Sequence, residues 1–348
     1  MRITLGQPGG FDTIIDARSE DEYALDHLPH AVNWPSLNNT ERITVGTMYK
    51  QLGGFEAQKH GAALVAANIS KHIQSHVLDL PRNWQPLIYC WRGGKRSGSL
   101  AMVLGQIGFK INLIEGGYKA FRAAMLEDIA LIAPSFQYQV ISGPTGSGKT
   151  RLLQALKMEG AQVLDLEDLA QHRSSVLGHI PGQPQPSQKH FDMLVWQTLK
   201  QFDPTRVVFT ESESRKVGNL SIPDPVMLAM RNSPCHELLL PLQERVALLM
   251  EDYNFFVSDP ILFCKRLDAL VAIRGKAVVE EWKAQVQQGQ FEPVVHALLE
   301  THYDPTYASS MRRNFARFES HRVCEAVNRN EETMGLLARG LIASTTGT

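Results

Sequence analysis

Cys90-Trp91-Arg92-Gly93-Gly94-Lys95-Arg96-Ser97 stands between two apolar runs, Pro86-Leu87-Ile88-Tyr89 before it and Gly98-Ser99-Leu100-Ala101-Met102-Val103-Leu104 after it. The first run reads as a short buried strand and the second as the start of a helix. The cysteine is therefore placed at a strand end, on a glycine-bearing loop, in front of a helix N-terminus. Gly93 and Gly94 let the backbone curl so that several N–H groups converge, and the helix dipole adds positive potential there. Arg92, Lys95 and Arg96 add full charges, so the Cys90 pKa is expected to be depressed and the thiolate populated near neutral pH. The competing reading is a buried structural cysteine beside a solvated basic turn. The strand–cysteine–loop–helix setting favours the functional one.

A second anion-binding signal lies downstream. Tyr138-Gln139-Val140-Ile141-Ser142 reads as a strand, and Gly143-Pro144-Thr145-Gly146-Ser147-Gly148-Lys149-Thr150 follows it at once. Arg151-Leu152-Leu153-Gln154-Ala155-Leu156 then continues as helix. This is G-x-x-x-x-G-K-T in the strand–loop–helix context that the motif requires. Backbone N–H groups cradle a polyphosphate, Lys149 meets its outer oxygens, and Thr150 is placed to ligate Mg²⁺. The motif does not say which phosphate is bound. Two further strands, Gln162-Val163-Leu164-Asp165 and Arg206-Val207-Val208-Phe209-Thr210-Glu211, end in acids. Asp165, Glu211 and Glu213 are candidates for holding Mg²⁺ or contacting substrate, with solvated loop carboxylates as the alternative.

The whole chain sets bounds on these readings. At 348 residues it predicts two or three domains. The composition is that of a globular protein, 43% hydrophobic and 20% charged, and no apolar run approaches the roughly 18 residues of a membrane span. The first ten residues lack the apolar core of a signal peptide, so a cytoplasmic location is expected. The four cysteines show no CxxC pairing, which argues against a zinc site or a disulfide framework. A net charge of −1 means that any RNA contact must be local. Arg313, Arg317 and His321 would share one helix face, either as an RNA-backbone stripe or, more simply, as a solvated basic face. Ala133-Pro134-Ser135 reads as the domain boundary, giving domains 1–133 and 134–348.

Ile14-Ile15-Asp16 reads as a strand, Ser19 with Glu22 as a capping box, and His27–Pro35 as turn, strand, turn. Residues 62–69 and 72–80 carry helical apolar spacing. Asp16-Ala17-Arg18, the acidic helix with Tyr23, the run His27…Ala31-Val32-Asn33…Pro35 and Phe109…Leu113-Ile114-Glu115-Gly116-Gly117-Tyr118 together resemble a rhodanese domain. Leu28 and His30 stand where that family usually has Ile and Gly. Arg96 lies six residues after Cys90, which resembles the C-x5-R loop of rhodanese-related phosphatases and suits a tetrahedral oxyanion.

A rhodanese domain joined to a P-loop domain resembles the bacterial tRNA 2-selenouridine synthases. Residues 165–173, which include Arg173, and residues 185–189, 211–215 and 302–305 add to that resemblance; Ser174 departs from it where glycine is expected. The implied fold is α/β, a doubly wound rhodanese-like sheet followed by a P-loop NTPase-like domain with a helical C-terminal region. The implied reaction replaces the sulfur of wobble 2-thiouridine in tRNA by selenium, through an S-geranyl intermediate. The implied co-substrates are selenophosphate, with its synthetase as a partner, and geranyl diphosphate, with no tightly bound cofactor and no membrane. Cys90 would take up selenium as a perselenide, or position its donor. Two other enzymatic readings stay open: an ATP-dependent tRNA sulfurtransferase using a Cys90 persulfide, and a phosphatase or arsenate reductase fused to a kinase-like domain. A non-catalytic tRNA-binding protein would leave both loops idle.

Overall fold

The computed structural model describes residues 10–345 except 174–177, 179 and 181, so Ser174 and the first nine residues lie outside the described residues. The chain divides into two compact units, Met1–Asp128 and Ile129–Thr348.

In the first unit, β1 (Thr13–Asp16), β2 (Ala31–Asn33), β3 (Pro86–Tyr89) and β4 (Asn112–Leu113) form one sheet in the order β2-β1-β3-β4. Every pairing is parallel. β3 is buried along its whole length, as a central parallel strand must be. Helices α1 (Glu20–Leu25), α2 (Asn39–Gln51), α3 (Gly54–His76) and α4 (Lys95–Ile107) connect and flank the strands, and α5 (Gly117–Ile132) runs across the unit boundary. The capping box at Ser19 and Glu22 is present, and a second one at Asn38 and Glu41 opens α2. The two helical patterns at residues 62–69 and 72–80 belong mostly to the single helix α3, which ends at His76. His30 takes φ 60°, so the turn needs the left-handed backbone that glycine supplies in the resembled family.

The second unit is built on β5 (Tyr138–Ser142), α6 (Lys149–Met158), β6 (Gln162–Leu164), α7 (Leu166–Ala170), α8 (Gln188–Gln201) and β7 (Val208–Glu211). A small antiparallel hairpin, β8 (Lys216–Val217) with β9 (Leu220–Ser221), follows. Next come α9 (Asp224–Arg231), β10 (Cys235–Leu239) and α10 (Leu242–Asp252). Five helices then form a cluster: α11 (Asn254–Ser258), α12 (Pro260–Leu267), α13 (Val271–Arg274), α14 (Lys276–Gln287) and α15 (Phe291–Leu298). Their core is Phe256, Phe263, Leu267, Val279, Trp282 and Leu298. The chain ends with α16 (Asp304–Asn314), β11 (Arg322–Glu325) and α17 (Glu331–Thr345). The main sheet is parallel, ordered β11-β10-β5-β7-β6. β5 sits at its centre, with β7 beside it in the register Ile141↔Glu211.

The basic stripe at the C-terminus does not exist as one helix face. α16 stops at Asn314, Phe315 turns extended, and a strand begins at Arg322. Burial of Phe315 and Phe318 pulls the chain out of the helix, and the Ala316 N–H bonds the Arg231 carbonyl instead. His321 pairs with Glu237 at 2.9 Å. Among the described residues no helix is long and apolar enough to cross a membrane.

Candidate active site

Cys90 follows the last residue of β3, and its thiol is wrapped by the start of α4. The Gly94 N–H and the Ser97 hydroxyl each donate to Sγ at 3.2 Å. The helix begins at Lys95, three residues earlier than the apolar pattern alone implies, and so Ser97 falls in its first turn. Burial pushes the Cys90 thiol up, but the Ser97 hydroxyl and the backbone N–H groups of Ser97, Gly94 and Arg92 outweigh it and leave the pKa lowered. The thiolate is thus favoured by neutral donors. The expected role of the cationic side chains is corrected here: both Arg96 guanidinium contacts go to Glu22, the shorter at 2.6 Å, so Arg96 does not close a ring on the thiol. Arg92 and Lys95 are exposed at the rim, Trp91 stacks on Tyr118, and Gly93 has φ 67°.

The frame behind this loop comes from distant sequence. Tyr118 and Lys119 at the head of α5 donate to the carbonyls of Cys90 and Trp91 at 2.9 and 3.0 Å. A Cβ on Gly117, which has φ 61°, would lie 2.2 Å from the Cys90 carbonyl, so only glycine fits against the loop. Arg18, 2% exposed, bonds Asp16 at 2.6 Å and lies 4.0 Å over the Tyr118 ring. The Asp-x-Arg pair thereby supports the loop from beneath. Glu22, Arg18 and Gly117 serve the site through contacts that no local pattern reveals.

In the second unit the phosphate loop joins β5 to α6. Gly143, Gly146 and Gly148 all have positive φ, and at Gly143 a Cβ would meet Ser147 Oγ at 2.5 Å. Lys149 Nζ donates to the Gly143 carbonyl at 2.8 Å. Burial lowers the lysine pKa, opposed by the charges of Glu167, Glu213 and Glu211. A cavity of about 740 Å³ opens over the loop, and Thr145, Lys149, Thr150, Asp165, Arg173 and Glu213 all line it. Pro144 and Ser147 complete the loop, with the Ser147 N–H bonding the Pro144 carbonyl.

The candidate acids divide into two kinds. Glu211 ends β7 fully buried, and its Oε1 accepts the N–H groups of Leu166 and Glu167 at 2.7 and 2.9 Å. It anchors the start of α7 rather than lining the cavity. Burial, then Asp165, Glu213 and Glu167, push its pKa well above the ordinary range, opposed by the Glu167 N–H. Asp165 caps α7 by accepting the Asp168 N–H at 2.9 Å. Burial pushes its carboxyl up to about 6, with Asp168 and Glu167 adding to that and the capping N–H opposing it. Thr150, Asp165 and Glu213 offer hard oxygens suited to Mg²⁺. Among the described residues no three acidic, histidine or cysteine groups are grouped so as to hold an ion. Arg173 bonds the Asp252 carbonyl and lies 4.7 Å from the Tyr253 ring centre. Arg245 and Asp304, absent from the sequence reading as site residues, tie the loop to α10 and α16.

Comparison with known proteins follows the same division. A model of the rhodanese-like domain matches residues 5–124, and one of the tRNA 2-selenouridine synthase AAA domain matches residues 136–261. A protein of Nitrosomonas europaea named tRNA 2-selenouridine synthase is 38% identical over 258 residues, 73% of this chain and 66% of its own length. Proteins of the same name from Sulfurovum sp. and Bdellovibrio bacteriovorus are each 30% identical, over 87% and 86% of this chain and 90% and 89% of their own lengths. The match spans just under two thirds of the Nitrosomonas relative.

Proposed function

The chain belongs to the tRNA 2-selenouridine synthase family, and from that premise we propose that it exchanges the sulfur at C2 of wobble 2-thiouridine in tRNA for selenium, in two steps. In the first, the sulfur attacks C1 of geranyl diphosphate. A C–S bond forms, the C1–O bond breaks, and diphosphate leaves with the bonding electrons. The phosphate loop and Lys149 meet the charge that develops on the leaving group. Mg²⁺ held near Thr150 and Glu213 would supply further charge neutralisation when bound. S-alkylation also releases the N3 proton, and the cavity-lining carboxylate of Asp165 is the acceptor assigned here.

In the second step selenium displaces the geranylthio group. A perselenide on Cys90 would require selenium to be oxidised by two electrons. Attack of the Cys90 thiolate on phosphorus needs no redox partner: the S–P bond forms, the P–Se bond breaks, and hydrogen selenide leaves. Selenide then adds at C2, the C2–S bond breaks, and geranylthiol departs with a proton. Water hydrolyses the cysteinyl phosphate and restores the thiol.

The observation that carries this reading is one chain with both a donor-ringed thiol and a phosphate-loop cavity. Nucleoside mass spectrometry of thiolated tRNA incubated with the protein tests it. Geranyl diphosphate alone should give the S-geranyl nucleoside, and selenophosphate added with it should give 2-selenouridine. Sulfur transfer from thiosulfate that needs ATP, with no prenylated product, would replace this reading with the sulfurtransferase one.

A further inference from the structure

Glu22 lies in the first turn of α1, yet it holds the arginine that follows Cys90 at the spacing suited to a tetrahedral anion. Two Arg96 nitrogens meet its two carboxylate oxygens at 2.6 and 3.3 Å, one fork on another. Among the described residues that guanidinium has no other hydrogen-bond or ion-pair partner.

The carboxylate is better supplied. The Ser19 N–H and hydroxyl donate to its Oε2 at 3.3 and 3.2 Å, and Arg42 Nε on α2 stands 3.9 Å from the same oxygen. Burial pushes the Glu22 carboxyl up, but Arg96, the Ser19 N–H and the charge of Arg18 outweigh it and leave the pKa lowered. A carboxylate that keeps two donors and a nearby cation releases its arginine at less cost than one left bare in the interior. The pair is also partly wetted, with 23% of the Arg96 side chain and 20% of Glu22 exposed. An incoming oxyanion therefore trades one charge-assisted fork for another.

The backbone around Arg96 is fixed independently of that pair. The Ser36 hydroxyl donates to the Arg96 carbonyl at 2.9 Å, and the next residue, Ser97, donates to Sγ at 3.2 Å. Exchange of partners at the guanidinium asks only for a rotation of the side chain, with the start of α4 left in place.

We propose that Glu22 is a positioning residue for the Cys90 site, one that parks Arg96 off the thiol and yields it to a tetrahedral oxyanion entering the loop. The inference rests on the reading of Cys90 as a nucleophile toward such an anion, and adds the residue that decides when the arginine takes part. The thiol alone is served by neutral donors, and the anion gains a full charge. The loop thereby favours an oxyanion over a neutral electrophile.

Iodoacetamide alkylation of Cys90 in the full-length protein, followed by peptide mass spectrometry with and without inorganic phosphate, tests it. Glu22→Gln keeps a side chain that serves a capping box but gives up the negative charge. Arg96 then turns to the thiol, so the alkylation profile should move to lower pH by about one unit. Phosphate should protect Cys90 at about tenfold lower concentration, because the anion no longer competes with a carboxylate. Adding Arg96→Gln should remove both gains, which a merely structural role of Glu22 would not do. A Glu22→Gln protein with the wild-type profile and wild-type phosphate protection overturns the latch and leaves the reading of Cys90 standing. Gains that persist in the double variant overturn it too, and assign them to the altered cap. Failure of phosphate to protect Cys90 in the wild type and in both variants overturns the anion-binding reading of the loop itself.

Discussion

Two nitrogens of the Arg245 guanidinium donate to one oxygen, the Thr145 carbonyl in the phosphate loop, at 2.7 and 2.9 Å. The same guanidinium clasps Asp304 at 2.6 and 3.0 Å. A peptide plane is rigid, so fixing the Thr145 carbonyl also fixes where the next N–H points. Arg245 is 6% exposed, and Asp304 is its counter-ion on α16. Asp304→Ala should leave a buried cation unpaired, at a cost of about 2 kcal/mol in unfolding free energy. It should also weaken inorganic diphosphate binding by about tenfold without altering Cys90 alkylation. Denaturant unfolding and a diphosphate titration check both, and unchanged diphosphate affinity would mean that the clasp does not shape the loop.

At Cys90 the thiolate rests on neutral donors, and this separates it from a charge-paired cysteine. Ser97→Ala removes the hydroxyl 3.2 Å from Sγ. The pH profile of iodoacetamide alkylation should move to higher pH, because a donor to the charged form is lost. Arg96→Gln should move it little, since that charge is spent on Glu22. The opposite ranking would restore the arginine as the activating group. In tRNA assays Cys90→Ala should abolish selenation and keep geranylation, whereas Lys149→Ala should lose geranylation first.

Both loops were legible because each is built from contiguous backbone. A strand, a glycine-bearing turn and a helix start are local features, and 90–97 and 143–150 carry them in sequence order. What the supports touch was not legible, because they arrive from elsewhere in the chain: Gly117 lies 27 positions after Cys90, and Arg245 is 100 positions after Thr145. β11 was also hidden. It is a four-residue edge strand, Arg322–Glu325, with no fully buried residue, and it shows neither an apolar run nor clean alternation. The acids at strand ends were visible in the sequence, but their different placements depend on α7. That helix begins where Glu211 can receive two N–H groups, leaving Asp165 and Glu213 for the cavity.

Gly117 gives a sharp structural test. Gly117→Ala would set a methyl 2.2 Å from the Cys90 carbonyl and 2.5 Å from the Gly93 nitrogen, at φ 61°. The clash involves backbone on both sides, so no side chain can yield to relieve it. We expect a loss of about 2–4 kcal/mol in the first unit and selenation reduced well before geranylation. Stability and selenation both at wild-type level would show that the loop has a second arrangement.

In the proposed prenyl-transfer step, the carboxyl of Asp165 is expected to set the pH behaviour. Burial leads the shift that takes it from 3.8 to about 6. As the acceptor of the N3 proton it must be ionised, so geranylation should rise with pH through about 6 and then level off. Stability should run the other way. The folded protein binds this proton more tightly than the unfolded chain, so the favourable contribution is complete below pH 3.8 and lost as pH rises through about 6. Asp165→Asn keeps an acceptor for the Asp168 N–H, because asparagine caps helices as well as aspartate does. The variant should therefore be more stable than wild type by about 1–3 kcal/mol above neutral pH and no more stable near pH 4. Its geranylation rate should fall by about 10²-fold or more and lose the acidic limb. A variant that gains the stability but keeps both rate and limb would assign the base to another carboxylate, with Glu213 on the same cavity wall the next to substitute.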